Sequence, residues 1–320
     1  MTEFSSGRND LFQKFISYRK TCDIWNDNYE SNLLYFDRYC TEYYPEQNGL
    51  TQEMLDGWCT QRETENKNSL IGRTLSVRKM IEYLKKRELV DLSIPEVPSL
   101  SPKQYVPHSF TESELSAFFQ ECDRRTMSAK DPAKKFRALE MAVIFRLLYS
   151  SGIRTTEARL LRVEDVDLDN AVLNIRKSKN SIDHYVALHE TTNSMLIKYD
   201  EHACKRFPKR EIFFPFKDGK PFPPDIFTYE FRKIWDIVSK EKAVPYDLRH
   251  NYATQNINSW IFAGFDFNDK FLYLSKSMGH TSLESTKYYY SIVPALANLI
   301  EEKSGNSFDD LTPEVPSYEE

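Results

Sequence analysis

Apolar residues recur every three or four positions along most of the first 90 residues, which is the spacing of one helix face. We therefore predict four amphipathic helices, at 9–20, 27–44, 51–62 and 69–88. The third opens at Thr51, a residue type suited to the position before a helix. The fourth is the clearest, and five of its residues would face a core: Leu75, Val77, Met80, Ile81 and Leu84. This part of the chain predicts a compact helical domain.

A proline-rich segment follows the fourth helix. Four prolines stand close together: Pro95, Pro98, Pro102 and Pro107. Proline cannot continue a helix and favours extended backbone. We therefore expect a linker at 93–108, between a helical domain at 1–92 and a second domain at 109–303. Residues 304–320 are rich in Pro, Glu and Ser, which predicts an acidic, disordered tail.

Helical spacing resumes after the linker. Thr111 and Glu114 form the Thr-x-x-Glu pattern of a capping box, and a helix at 134–150 would end at Ser151-Gly152. Two alternating stretches, 171–176 and 184–188, predict paired strands around a Lys-Ser-Lys-Asn turn. Later helices are predicted at 223–239, 246–262, 268–277, 282–290 and 293–303. The fold class we expect is mainly α with a small β-sheet.

The chain has 320 residues, of which 40% are hydrophobic and 28% are charged. This composition is ordinary for a globular protein. The five cysteines form no CxxC or Cys/His pattern, which argues against a zinc finger or a disulfide framework. The N-terminus has no apolar run, and no stretch approaches the ~18 apolar residues of a membrane span. We expect a cytoplasmic protein that binds no membrane.

The charge is unevenly distributed. The net charge of the chain is −5, but residues 301–320 hold seven acidic residues against Lys303 alone. Residues 1–300 are therefore close to neutral, so the acidic balance of the whole chain does not exclude a nucleic-acid partner.

Four short segments of the second domain carry candidate chemistry. They are Gly152-Ile153-Arg154-Thr155-Thr156-Glu157, the turn with Lys177 and Lys179, Tyr246-Asp247-Leu248-Arg249-His250, and Met278-Gly279-His280 with Tyr289 after it. A cation at a helix start suits an anion. Each segment alone also has a simpler interpretation, because an arginine at a helix start or a lysine in a turn is often just a solvated surface residue.

Taken together, in this order and spacing, the segments resemble the tyrosine recombinase (phage-type integrase) family. Arg154 and Arg249 match the two family arginines, and the box from Met278 to Tyr289 matches the family's L-G-H box. The family lysine matches Lys179, with Lys177 as the alternative. The motifs cover residues 150–290, whereas the helical domain at 1–92 matches the family's core-binding (SAM-like) domain in placement and size alone.

The resemblance implies a chemistry that suits these residue types. Arg154 and Arg249 would bind the non-bridging oxygens of a DNA phosphate. Tyr289, nine residues after His280, would attack the phosphorus and leave a 3′-phosphotyrosine. Lys179 would protonate the departing 5′ oxygen, and His280 would position the phosphate or accept the tyrosine proton. No cofactor and no metal is implied.

The sequence departs from the family pattern at Tyr246, where the family usually has histidine. A phenol can donate one hydrogen bond to a phosphate oxygen, but it carries no positive charge at neutral pH. Tyr246 is therefore either a neutral donor in the site or a packing residue.

The function that the resemblance implies is site-specific recombination of double-stranded DNA by a homo-tetramer on two duplexes, for a mobile element. Basic residues on the fourth helix would then contact phosphates: Arg73, Arg78, Lys79, Lys85, Lys86 and Arg87. The alternative for this face is a merely solvated surface. Two other functions stay open: a phosphotyrosine enzyme that nicks DNA or forms hairpins, and a catalytically silent DNA-binding protein.

Overall fold

The computed structural model describes residues 4, 7–25, 27–99, 106–176, 183–261, 267–280, 282 and 284–287. The chain forms two compact units, Met1–Tyr105 and Val106–Glu320, which we call the first and the second unit. The division lies inside the segment 93–108, for which the sequence predicts a linker. Each unit is described by itself.

The first unit contains four helices in its described residues: α1 (Asn9–Thr21), α2 (Asp27–Tyr43), α3 (Gln52–Cys59) and α4 (Lys67–Lys85). All four predicted helices are present. The side chains of Thr51 and Asn66 accept hydrogen bonds from the first turns of α3 and α4 and so fix where these helices begin. Aromatic and aliphatic residues fill the core, among them Phe12, Phe36, Trp58, Met80 and Ile81.

In the second unit the described helices are α5 (Glu112–Ser128), α6 (Pro132–Ser151), α7 (Thr155–Leu160), α8 (Glu190–Arg206), α9 (Ile226–Val238), α10 (Pro245–Ile261), α11 (Phe267–Ser277) and α12 (Glu284–Lys287). The strands β1 (Val166–Asp167), β2 (Val172–Ile175) and β3 (His184–Ala187) form an antiparallel sheet in that order, with Leu173 opposite Val186. The expected fold class, mainly α with a small sheet, is confirmed. Neither α8 nor β1 was predicted.

Helix α6 is the centre of the second unit. Its residues from Glu140 to Leu148 are almost all buried, and it packs against α5, α8 and α10. The capping box of Thr111 and Glu114 opens α5 as predicted. The core position of α6 matters for function because its C-terminal end leads directly into the segment with Arg154. None of the helices in the described ranges is long and apolar enough to cross a membrane.

Candidate active site

A glycine turn joins α6 to α7 and positions Arg154. Gly152 has a left-handed backbone (φ 66°), and its N–H donates to the carbonyl of Leu148. A Cβ at this position would collide with the ring of Tyr252 on α10. Both constraints require glycine. Arg154 follows as the residue before α7.

Two partners hold Arg154. Its backbone N–H donates to Oε2 of Glu157 at 2.7 Å, and its Nη1 forms an ion pair with the same buried carboxylate. Its Nη2 donates to the carbonyl oxygen of Gly279, 125 residues along the chain, at 3.0 Å. Glu157 thus orients the guanidinium, and the contact with Gly279 joins the first motif to the last.

Arg249 lies on α10, and only 1% of its surface is exposed. Nη1 donates to the carbonyl of Gly152 at 2.5 Å, and Nη2 donates to the carbonyl of Met278 at 2.7 Å and to Nε2 of His280 at 3.1 Å. All these acceptors are neutral. In the part of the chain that the structure describes, Arg249 has no carboxylate partner, and its buried Nε has no hydrogen-bond acceptor.

Each of the two arginines hydrogen-bonds a backbone carbonyl in a turn that carries another residue of the site. Arg249 binds the carbonyl of Gly152, just before Arg154, whereas Arg154 binds the carbonyl of Gly279, just before His280. Segments that are about 100 residues apart are therefore fixed around one point, with two guanidiniums and one imidazole. A buried guanidinium without a counter-ion is unfavourable unless an anion joins it. The cluster is suited to an anion with several oxygens.

His280 is neutral in this arrangement. Arginine can only donate, so Nε2 of His280 accepts from Arg249, and the ring proton on Nδ1 donates to Oγ1 of Thr286 at 2.7 Å. Burial, together with the charges of Arg249 and Arg154, lowers the pKa of His280 to about 4 against the opposing effect of Glu157. At neutral pH the ring offers a lone pair to the site.

Sequence reasoning missed His184, which also lies at this cluster. It is the first residue of β3, and 7% of its surface is exposed. Its ring packs against Gly279, where a Cβ would lie 2.5 Å from Cε1. The alternation of β3 contains the signal, because His184 shares the buried face with Val186.

Tyr246, in the first turn of α10, is 39% exposed, and its ring lies edge-on to that of His250 with 5.0 Å between the centroids. His250 is buried, which together with Arg249 lowers its pKa to about 4. Tyr246 precedes Arg249 by three residues on α10 and therefore shares its helix turn. The alternatives for its role stay open.

Three candidates lie outside the described residues: Lys177, Lys179 and Tyr289. The tail at 304–320 lies outside them as well. Their predicted roles stay predictions. Within the described ranges no group of three His, Cys, Asp or Glu residues could hold a metal ion.

The structure corrects the prediction for Arg73, which is not on the exposed side of α4. Only 5% of its surface is exposed; Nε and Nη2 donate to the two carboxylate oxygens of Glu65 at 2.6 and 2.7 Å, and the guanidinium lies over Trp58. The reason is helical spacing, because Arg73 occupies the same stripe as Val77 and Met80.

The other basic residues of this region differ in how far they are engaged. Arg78 and Lys79 both pair with Glu82. Lys85 donates to the carbonyl of Leu92, and Arg87 lies over the rings of Tyr18 and Tyr83. Lys86 is exposed and has no ion pair among the described residues. Contact of this face with DNA stays a prediction.

Comparison with known proteins finds a matching protein family and similar relatives. The model of the phage integrase family matches residues 108–294. An integrase/recombinase of Sinorhizobium fredii, y4rE, is 29% identical over 232 residues, which are 69% of this chain and 72% of that protein.

Two solved structures have a similar fold. The XerH site-specific recombinase bound to a palindromic difH substrate has a TM-score of 0.60 and 17% identity, with 94% of this chain and 85% of that chain covered. A lambda integrase tetramer bound to a Holliday junction has a TM-score of 0.57 and 13% identity, with 88% and 76% covered. At these identities the likeness shows the fold alone.

Proposed function

The chain belongs to the phage integrase family, and from this we propose that it is a site-specific DNA recombinase that cuts and rejoins strands through a 3′-phosphotyrosine. The observation that carries the proposal is the cluster of Arg154, Arg249 and His280, in which the buried charge of Arg249 has only neutral partners among the described residues. A phosphodiester supplies the missing anion.

In the proposed cleavage step the phenol oxygen of Tyr289 attacks the phosphorus. The new bond joins that oxygen to phosphorus, and the bond from phosphorus to the 5′ oxygen breaks. The tyrosine loses its proton, and the 5′ oxygen gains one and leaves as a hydroxyl. The reverse reaction with another 5′-hydroxyl reseals the strand, so the energy of the phosphodiester is kept in the protein–DNA bond.

Negative charge grows on the non-bridging oxygens during this step, and the two guanidiniums would stabilise it. They are already held in position by carbonyl groups, so little reorganisation is needed when the phosphate binds. Nε2 of the neutral His280 carries a lone pair and would accept the tyrosine proton; once protonated, it would donate a hydrogen bond to the phosphate. Tyr246 would donate one further hydrogen bond.

The proton for the 5′ oxygen is assigned to Lys179. A substrate with a 5′-thiolate leaving group needs no proton, so it should restore cleavage by Lys179→Ala. If Lys177→Ala is restored instead, the lysine assignment shifts by two residues.

We extend the proposal to the assembly and the setting. The relative bound to a Holliday junction is a tetramer, and we propose that this chain also acts as a homo-tetramer on two duplexes, for a mobile element. We place it in the cytoplasm, where its five free cysteines would stay reduced. Inverted repeats in the DNA beside the gene would identify both the element and the recombination site.

A nicked suicide substrate tests the proposal, because loss of a short 5′ fragment traps the covalent protein–DNA adduct. We expect an adduct with the wild-type protein and none with Tyr289→Phe, which should still bind DNA. Tyr288→Phe and Tyr290→Phe are the matched controls and should form it. Absence of any adduct would favour a silent DNA-binding protein, and hairpin or nicked products without strand exchange would favour the nicking enzyme.

A further inference from the structure

The ring of His184 fills the space beside the backbone of Gly279. A Cβ built at residue 279 would lie 2.5 Å from Cε1, 2.7 Å from Nδ1 and 3.0 Å from Nε2 of that ring. Gly279 also has a left-handed backbone (φ 62°). The turn is therefore shaped from two sides: by its own dihedral angle, and by an imidazole from the sheet.

We propose that His184 is a positioning residue of the active site, whose ring fixes the Met278–Gly279–His280 turn at the place where both arginines reach it. This inference rests on the proposed function. It adds a residue of the small sheet to the machinery, which the four sequence motifs do not include.

The position of the turn matters for the site because three of its groups accept hydrogen bonds from the two arginines. The carbonyl of Met278 accepts from Arg249, the carbonyl of Gly279 accepts from Arg154, and the ring of His280 accepts from Arg249. A shift of the turn would move both guanidiniums together. Misplacement by about 1 Å can cost a factor of about 100 in rate at an active site.

The structure holds the turn at its other end as well. The N–H of Met278 donates to Leu274, that of Gly279 to Lys276 and that of His280 to Ser275, all on α11. Helix α11 packs against β3. From that contact the ring of His184 reaches Gly279.

His184 also connects this turn with the β-hairpin. It is the first residue of β3, and the candidate lysines 177 and 179 precede β3 in the chain. The contact of His184 with Gly279 fixes where β3 begins relative to the arginines.

The charged and titratable groups that face His280 come from several elements. Among the described residues they are Arg249 on α10, Arg154 and Glu157 at the start of α7, and His184 on β3. Arg249, Arg154 and His184 each disfavour a proton on His280, and Glu157 favours one. Removing the His184 ring should therefore raise the pKa of His280, both because the electrostatic effect of that ring is lost and because water can enter the space that it leaves.

A double-mutant cycle tests the contact without DNA. Gly279→Ala should lower the unfolding temperature strongly in the wild-type background, because the added methyl group meets the ring. It should lower it less in the His184→Ala background, where the left-handed strain of alanine alone remains. Equal losses in both backgrounds would overturn the proposal.

Cleavage and titration supply the second test. His184→Ala should slow single-turnover cleavage by about tenfold or more with little change in DNA affinity, and should raise the pKa of His280 measured by NMR. His184→Phe should recover most of the rate because it restores a ring. Tyr185→Ala, on the exposed face of the same strand, is the matched control and should behave as wild type.

Two results would contradict the role: His184→Phe as slow as His184→Ala, or an unchanged His280 pKa in His184→Ala. The cycle and the titration need no DNA. They therefore report on His184 even if the wild-type protein forms no covalent adduct, which is the result that would overturn the proposed function.

Discussion

Arg73 in the first unit and Arg249 in the second are both almost completely buried, yet they are held by opposite kinds of partner. Arg73 donates to both carboxylate oxygens of Glu65 and to the carbonyl of Thr60, and lies over Trp58. Arg249 donates to two carbonyls and an imidazole, with no carboxylate partner in the described ranges.

The difference separates a charge that the fold balances from one that it does not balance, and we propose that the second belongs to a ligand site. The charge of Arg73 is balanced inside the fold, so an added anion would gain little from it. The charge of Arg249 is held in place without being balanced, and an anion that enters the cluster supplies what the fold lacks. Arg154 lies between the two, since Glu157 balances it while Gly279 accepts from Nη2.

The largest effect on stability should come from Arg73→Met. The substitution leaves the carboxylate of Glu65, whose side chain is 9% exposed, without its cation, which costs about 3–5 kcal/mol of unfolding free energy. Chemical denaturation of the variant measures it. The double variant Arg73→Met/Glu65→Met should recover most of the loss, and a loss as large as in the single variant would show that the ion pair is not the cause.

The same substitution at Arg249 should act on the reaction instead. We expect Arg249→Met to slow single-turnover cleavage by about 100- to 1,000-fold, the cost of losing one preorganised donor to a developing oxyanion. Its unfolding free energy should fall less than that of Arg73→Met, because no opposite charge is stranded. Greater destabilisation than in Arg73→Met would break the comparison.

Tyr246→Phe should have a smaller effect. Loss of one hydrogen bond to a charged phosphate is worth roughly 1.5–3 kcal/mol, so cleavage should slow by about ten- to a hundredfold. Tyr246→His should stay active and gain a pH dependence near the imidazole pKa of ~6.5. A Tyr246→Phe rate equal to wild type would make Tyr246 a packing partner of His250.

The last prediction concerns the dependence of stability on pH. The pKa values of His250 and His280 are lowered to about 4 in the folded protein. Their contribution to stability is therefore complete above the unfolded value of ~6.5 and is lost as the pH falls towards about 4. Burial raises the pKa of Glu140 to about 7, which acts in the opposite direction.

Denaturation of His250→Gln/His280→Gln isolates the histidines, since Glu140 is common to both proteins: between pH 7 and 4.5 the variant should lose less stability than wild type. An equal loss would contradict the lowered pKa values.

The sequence predicted most helices because their signals are local. Thr111 opens α5 through its own capping box, and Gly152 ends α6 in the left-handed backbone that favours glycine. Helix α8 was missed because its buried stripe contains Thr192, Tyr199 and Ala203 beside a single strongly apolar residue, Leu196. Strand β1 has two residues, too few for an alternating pattern.

The spacing of the site residues along the sequence matches one family pattern. It could not predict their hydrogen-bond and ion-pair partners. Arg73 and Arg249 look alike in a sequence, and what separates them is which groups the fold brings to each. Glu65 lies in the loop before α4, whereas the acceptors of Arg249 come from two turns that are distant in the sequence. For His184 the sequence predicts only a place in a strand, because its partner Gly279 is distant in the sequence and belongs to another motif.

The proposed role of Arg249 is to stabilise negative charge on the scissile phosphate. Its most direct test is single-turnover cleavage of two suicide substrates, one with the natural phosphodiester and one with a neutral methylphosphonate at the scissile position. Arg249→Met should be far slower than wild type on the phosphodiester, and most of that deficit should vanish on the methylphosphonate, which carries no charge to stabilise. A deficit of the same size on both substrates would contradict the claim.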